Sequence, residues 1–185
     1  MLKIIFINSI YIAALLCILS INNVQAEDKS KPKIKLTSTA FKEGAKIPKQ
    51  YTCESDDISP QLSWSGFSAR TKSFALICDD PDAPMGTWVH WVIFNIPPEV
   101  KELFEDIKQL KVFSNGMKQG NNSSKKLGYM GPCPPSGSHR YYFKIYALDI
   151  MLKAEPGIDK QRLLRLMEGH ILADGQLMGT YKKDK

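Results

Sequence analysis

Two short segments hold most of the side chains able to do chemistry. The first is Asp80-Pro-Asp-Ala-Pro84, followed by Trp88-Val-His90; the second is Gly128-Tyr-Met-Gly-Pro-Cys-Pro-Pro135, followed by His139-Arg-Tyr141. Two of the three histidines lie at these loop–strand junctions. Proline restricts the residue before it, so Asp80 has limited backbone freedom, and Asp82 lies between two prolines with locked φ angles, so the loop is stiff and its carboxylates are aimed. Read alone, Asp79, Asp80 and Asp82 are equally good turn caps, and a single histidine in an apolar run is as good a core residue. The combination says more. His139 and Tyr141 share one strand face directly after a glycine- and proline-rich loop. Gly128 and Gly131 permit close backbone approach, so their loop can offer N–H groups to an anion, with Pro132, Pro134 and Pro135 stiffening the wall. Imidazole and phenol donors, backbone N–H groups and a nearby carboxylate together describe an anion cradle. A carboxylate beside a phosphate requires a shared proton or a cationic histidine, so an Asp80–histidine pair is expected, with phosphate affinity falling as the histidines lose protons.

The elements that must position these groups read as strands. Phe74 to Cys78 and Val89 to Ile96 are continuous apolar runs bounded by prolines, as expected for strands buried on both faces. His139 to Leu148 alternates, with His139, Tyr141, Phe143, Ile145 and Ala147 on one face. Ile34 to Ser38, Gln61 to Trp64 and Gln176 to Tyr181 add shorter strands. Val100 to Leu110 is expected to hold a helical turn, and Asn115 to Lys126 an exposed loop. Helical spacing occurs within Asp159 to Leu172, where Leu163, Leu164, Met167, Ile171 and Leu172 form an apolar stripe and Asp159 is the expected N-cap.

The chain has 185 residues, enough for one domain with a genuine core. Lys3, the apolar run Ile4 to Leu19, and Val24-Gln-Ala26 fit a secretory signal peptide over residues 1–26, and hence export to the periplasm or beyond. A retained membrane anchor is the rival. A lipoprotein box at Leu15-Leu-Cys17 is spoiled by the bulky Leu16. Removing the leader takes away Lys3 and lowers the net charge from +6 to +5. Much of that excess lies in Lys29 to Lys35 and Lys182 to Lys185, read as solvated tails with at most weak membrane-surface attraction. Nucleic-acid binding has no motif to support it. Export leaves Cys53, Cys78 and Cys133. Cys78 lies within an apolar run, so Cys53 and Cys133 are the candidate disulfide, with two separate thiols as the alternative.

The two segments closely resemble those of the phosphatidylethanolamine-binding, or Raf-kinase-inhibitor-like, family in its bacterial branch. The likeness extends through Tyr51-Thr-Cys53, Ile58-Ser-Pro60, Leu62-Ser-Trp64 and Glu168-Gly-His170-Ile-Leu172, over roughly residues 34–181. It implies a mainly β single domain, a two-sheet antiparallel sandwich with a short helix near the C-terminus. It also implies an anion pocket for phosphate groups or phospholipid head groups. Carried over by position, Asp80, His90, Gly131, Pro132, His139 and Tyr141 match the pocket, Asp82 and Trp88 support it, and Gly128 matches more weakly. The chain ends at Lys185, soon after its last expected strand, so functions that depend on a C-terminal helical lid are not expected. The expected function is a non-enzymatic binding protein with no catalytic residue, metal or cofactor. A secreted inhibitor or interaction protein using the 115–126 loop, with a protein partner, is one alternative; a His/Asp hydrolase is the other. Neither His-x-x-x-His nor Gly-x-Ser-x-Gly is present.

Overall fold

The computed structural model describes residues 32–184. The signal-peptide segment lies outside the described residues. The large sheet has the order β6-β4-β3-β7-β8 and is antiparallel throughout. Its strands are β3 (Ser73–Asp80), β4 (Trp88–Ile96), β6 (Lys118–Gln119), β7 (His139–Leu148) and β8 (Ile171–Tyr181). A small antiparallel sheet in the order β1-β2-β5 packs against it. That sheet is built from β1 (Lys35–Thr37), β2 (Leu62–Ser65) and β5 (Glu102–Leu103). No helix among the described residues is long and apolar enough to cross a membrane.

Strand parity divides the apolar residues of the large sheet between two cores. Phe74, Leu76, Cys78, Trp91, Ile93, Tyr141, Phe143 and Ile145 face the small sheet, where Leu36, Leu62 and Trp64 meet them. Ala75, Ile77, Val92 and Phe94 face the other way, onto Leu163 and Met167 of helix α1 (Lys160–Met167). Burial on both faces explains why β3 and β4 are apolar almost without interruption. The Asp159 carboxylate caps α1 by accepting from the Arg162 N–H. Beside the helix, buried Asp79 accepts from Lys144 Nζ at 2.8 Å and from Lys160 Nζ, joining α1 to the sheet.

Several expectations are corrected. The helix ends at Met167, and Ile171 and Leu172 begin β8 instead, pairing back onto β7 through Ile171 and Leu148. Leu164 is partly exposed, so the buried stripe is Leu163 and Met167. Val100 to Leu110 forms no helix; Glu102 and Leu103 pair with β2, and the rest is irregular. The 115–126 segment is not a free loop. β6 pairs with β4, and Gln119 and Asn122 are buried. The Gln119 side chain accepts from Trp91 Nε1 and donates to the carbonyls of Lys108 and Leu110, replacing a helix as the means of ordering that region. The tails are also tied down in part. The Asp174 N–H donates to the Pro32 carbonyl and Lys33 pairs with the Asp174 carboxylate, while Asp184 lies against Lys46 and Lys49.

Candidate functional site

The end of β3 and the start of β7 bring Asp80 and His139 together. Asp80 is the last residue of β3 and His139 the first of β7, and His139 Nδ1 lies 2.7 Å from Asp80 Oδ2. A carboxylate oxygen accepts, so Nδ1 carries the proton and Nε2 is the ring atom left for a ligand. The other carboxylate oxygen, Asp80 Oδ1, accepts the Asp82 N–H at 2.8 Å and so folds the Asp-Pro-Asp turn. Tyr141 follows on the same strand face and is fully buried.

A bulge in β4 brings in the next two groups. Cys78 pairs with Trp91 but Asp79 pairs with Val89, so His90 is an extra residue with no partner on β3. Simple alternation would put Trp88, His90 and Val92 on one face, toward the helix-side core. The bulge instead turns Trp88 opposite Asp80 and leaves His90 edge-on to Tyr141, with ring centroids 5.1 Å apart. His90 Nδ1 lies 2.6 Å from the Met130 carbonyl oxygen, so this ring too presents Nε2. Burial lowers the His90 pKa, against the opposing pull of the Met130 carbonyl and the Asp80 and Asp57 carboxylates.

These residues line a cavity of about 460 Å³ with Ala83, Pro84, Met85, Met130, Cys133, Pro134 and Pro135. Its floor is polar and its rim apolar, with Met85 95% exposed. Among the described residues, no lysine or arginine lines it. The Tyr141 hydroxyl is buried without a hydrogen-bond partner among the described residues, and its pKa is pushed up by burial and then by the Asp80 charge. The described residues contain no group of three or more His, Cys, Asp or Glu side chains placed to hold a metal ion.

Of the residues singled out from sequence, Asp80, Trp88, His90, His139 and Tyr141 meet in this cavity; Asp82, Gly128, Gly131 and Pro132 lie outside its lining. Asp82 turns outward. It accepts from the Arg140 backbone N–H and binds the Arg140 guanidinium through both carboxylate oxygens, at 2.9 Å from Nε and 2.6 Å from Nη2. That guanidinium holds the Asp82 carboxyl down at about 2. The Gly131 N–H, expected to face an anion, donates to Asp57 Oδ1 at 2.5 Å instead. Glycine is needed there because a Cβ would lie 2.3 Å from the Tyr51 carbonyl oxygen. The Pro132 carbonyl accepts the Cys53 N–H, and the Gly128 carbonyl accepts from the Asn122 side chain, so both hold the loop from behind. Cys53 and Cys133 form a disulfide with a Cα–Cα distance of 5.5 Å, and Cys78 is a buried thiol.

Sequence reasoning passed over Asp57, Arg140 and Met130. Asp57 and Met130 carry no local signal, because their roles exist only once the 51–57 and 128–135 loops are side by side. Arg140 carries a partial local signal, because it alternates with His139 and Tyr141 and so points to the opposite face of β7.

The family model described as phosphatidylethanolamine-binding protein matches residues 37–182. A UPF0098 protein of Methanothermobacter thermautotrophicus is 51% identical over 148 residues, covering 80% of this chain and 98% of the relative. A UPF0098 protein of Chlamydia muridarum is 47% identical, covering 82% and 100%. Among solved structures, a phosphatidylethanolamine-binding protein homologue from Chlamydia trachomatis superposes with a TM-score of 0.75 at 45% identity, over 82% of this chain and 99% of that one. Escherichia coli YbcL, described as a new member of the mammalian family, has the same TM-score at 30% identity, over 84% and 100%. The match along almost the whole described domain, together with the shared two-sheet architecture, places this chain in the phosphatidylethanolamine-binding protein family.

Proposed function

We propose that the chain is a non-enzymatic binding protein whose cavity takes a phosphate group, free or as a phospholipid head group. The observation that carries this reading is the Tyr141 hydroxyl, a buried donor with no partner among the described residues, beside two imidazoles whose Nδ1 atoms are engaged and whose Nε2 atoms have no hydrogen bond among those residues. A buried polar group left unpaired costs about 1–3 kcal/mol, and a ligand oxygen accepting from it would recover much of that. The absence of lysine and arginine among the described lining residues favours a phosphate of single negative charge, the free monoanion or a lipid phosphodiester. The P–OH of the free monoanion would donate to Nε2 of neutral His90, a contact a lipid phosphodiester lacks, while the anionic oxygens of either ligand accept from Tyr141 beside the His139 ring. The apolar rim at Pro84, Met85 and Pro135 suits the glycerol and first acyl carbons of a lipid. We further propose that the protein is exported, where such lipid surfaces are within reach.

The test is a thermal-shift titration of the protein with inorganic phosphate and with a short-chain phosphatidylethanolamine. Stabilisation by both is expected, and that by inorganic phosphate is expected to fall as pH rises above about 6 and the monoanion loses its P–OH. It is expected to survive a chelator and to leave the phosphoester intact. A response abolished by chelator, or release of phosphate from an ester, would favour the hydrolase reading. No response to either ligand would remove the binding reading.

A further inference from the structure

We propose that Asp57 is a positioning residue for His90, acting through the single peptide group that joins Met130 to Gly131. This inference rests on the cavity being the binding site. Both ends of that peptide are held. Its carbonyl oxygen, on Met130, accepts from His90 Nδ1 at 2.6 Å, and its N–H, on Gly131, donates to Asp57 Oδ1 at 2.5 Å. A carboxylate pulling on the N–H polarises the peptide and makes its carbonyl a stronger acceptor. Asp57 therefore supports the His90 Nδ1–H, and any positive charge on the ring, without touching it.

The two imidazoles of the cavity thus have the same support by different routes. His139 rests directly on the Asp80 carboxylate, and His90 rests on Asp57 with one peptide between. Three further features fit this role. Asp57 adopts a left-handed backbone with φ of 56°, a conformation that non-glycine residues seldom take. The missing Cβ at Gly131 allows the approach, since one would lie 2.5 Å from Asp57 Oδ1. Burial raises the Asp57 pKa, while the Gly131 N–H and then His90 pull it back down, so the carboxylate and the ring sense each other.

The other groups facing His90 are accounted for. Asp80 approaches from the end of β3 and also favours the charged ring, Tyr141 packs edge-on from β7, and His139 shares the cavity. Asp57 is the contribution from the loop side.

The experiment is a pH titration of the His90 and His139 ring protons by NMR, without phosphate, in the wild type and in Asp57→Asn. Asparagine keeps an acceptor for the Gly131 N–H and removes the charge. The His90 midpoint is expected to fall by about half a pH unit, with His139 unmoved. In the wild type, the Gly131 amide proton is expected to titrate with the His90 midpoint, a reading that needs no variant. An unmoved His90 midpoint in Asp57→Asn, equal shifts in both histidines, or a Gly131 amide indifferent to His90 would each overturn the proposal. Because no ligand is present, a failure of phosphate to bind the wild type would count against the binding reading alone.

Discussion

Asp80 and His139 form a buried pair on the cavity floor, with Nδ1 and Oδ2 2.7 Å apart and side-chain exposures of 4% and 9%. A buried pair contributes less through its attraction than it costs when one member is removed. His139→Ala leaves the Asp80 carboxylate with the Asp82 N–H as its remaining partner. The variant is expected to lose about 3 kcal/mol in urea unfolding. Asp80→Asn combined with His139→Ala is expected to be less damaging than the sum of the two, because the pair is one unit.

Tyr141→Phe separates binding from folding. The hydroxyl has no partner among the described residues, so its removal is expected to leave the unliganded protein as stable as before, or more stable by about 1 kcal/mol. Phosphate affinity is expected to fall about tenfold, by the loss of one charge-assisted hydrogen bond. Unfolding and thermal-shift curves on the same samples check both. A large loss of stability would mean that the hydroxyl is not idle in the folded protein.

The Asp82–Arg140 clasp should be visible in acid. The Asp82 pKa is lowered from 3.8 to about 2, with the Arg140 guanidinium as the main cause. A carboxyl depressed on folding adds stability above its ordinary value and loses that contribution as pH falls toward the depressed one. Acid unfolding of the wild type is therefore expected to steepen between those two values, and Asp82→Asn to remove that part of the slope. Arg140 is half exposed, so the effect is modest and shrinks further in high salt.

Opening the disulfide should weaken the domain without dissolving the site. Cys53 and Cys133 are 80 residues apart, and closing a loop of that length restricts the unfolded chain by roughly 4 kcal/mol. Cys53→Ser with Cys133→Ser is expected to lower the urea midpoint accordingly. Phosphate binding should persist, because the Cys53 N–H still reaches the Pro132 carbonyl and the Tyr129 hydroxyl the Tyr51 carbonyl.

Much of the fold was readable along the chain. The buried runs of β3 and β4, the alternation of β7 and the Asp159 cap are local signals, and strand parity alone put His139 beside Tyr141. Helical spacing runs on past the end of α1, because Ile171 and Leu172 satisfy it as well as they satisfy a strand, and pairing with β7 decides between them. The helical turn expected over Val100 to Leu110 is absent for a similar reason: the order of that segment comes from β2 and from the Gln119 side chain, neither of which is a neighbour in sequence.

The sequence by itself determined which chemistry is present: two imidazoles, a phenol and two aimed carboxylates on stiff loops, in an order that resembles one family. The tertiary structure decided which of these groups work together. A one-residue bulge turned Trp88 and His90 into the cavity, the Arg140 fork drew Asp82 away from it, and the Gly131 N–H went to Asp57 rather than to open space. Local sequence constrains which way a side chain points along its own strand. Which donor meets which acceptor depends on segments tens of residues apart being packed together, and that pairing is a property of the folded chain.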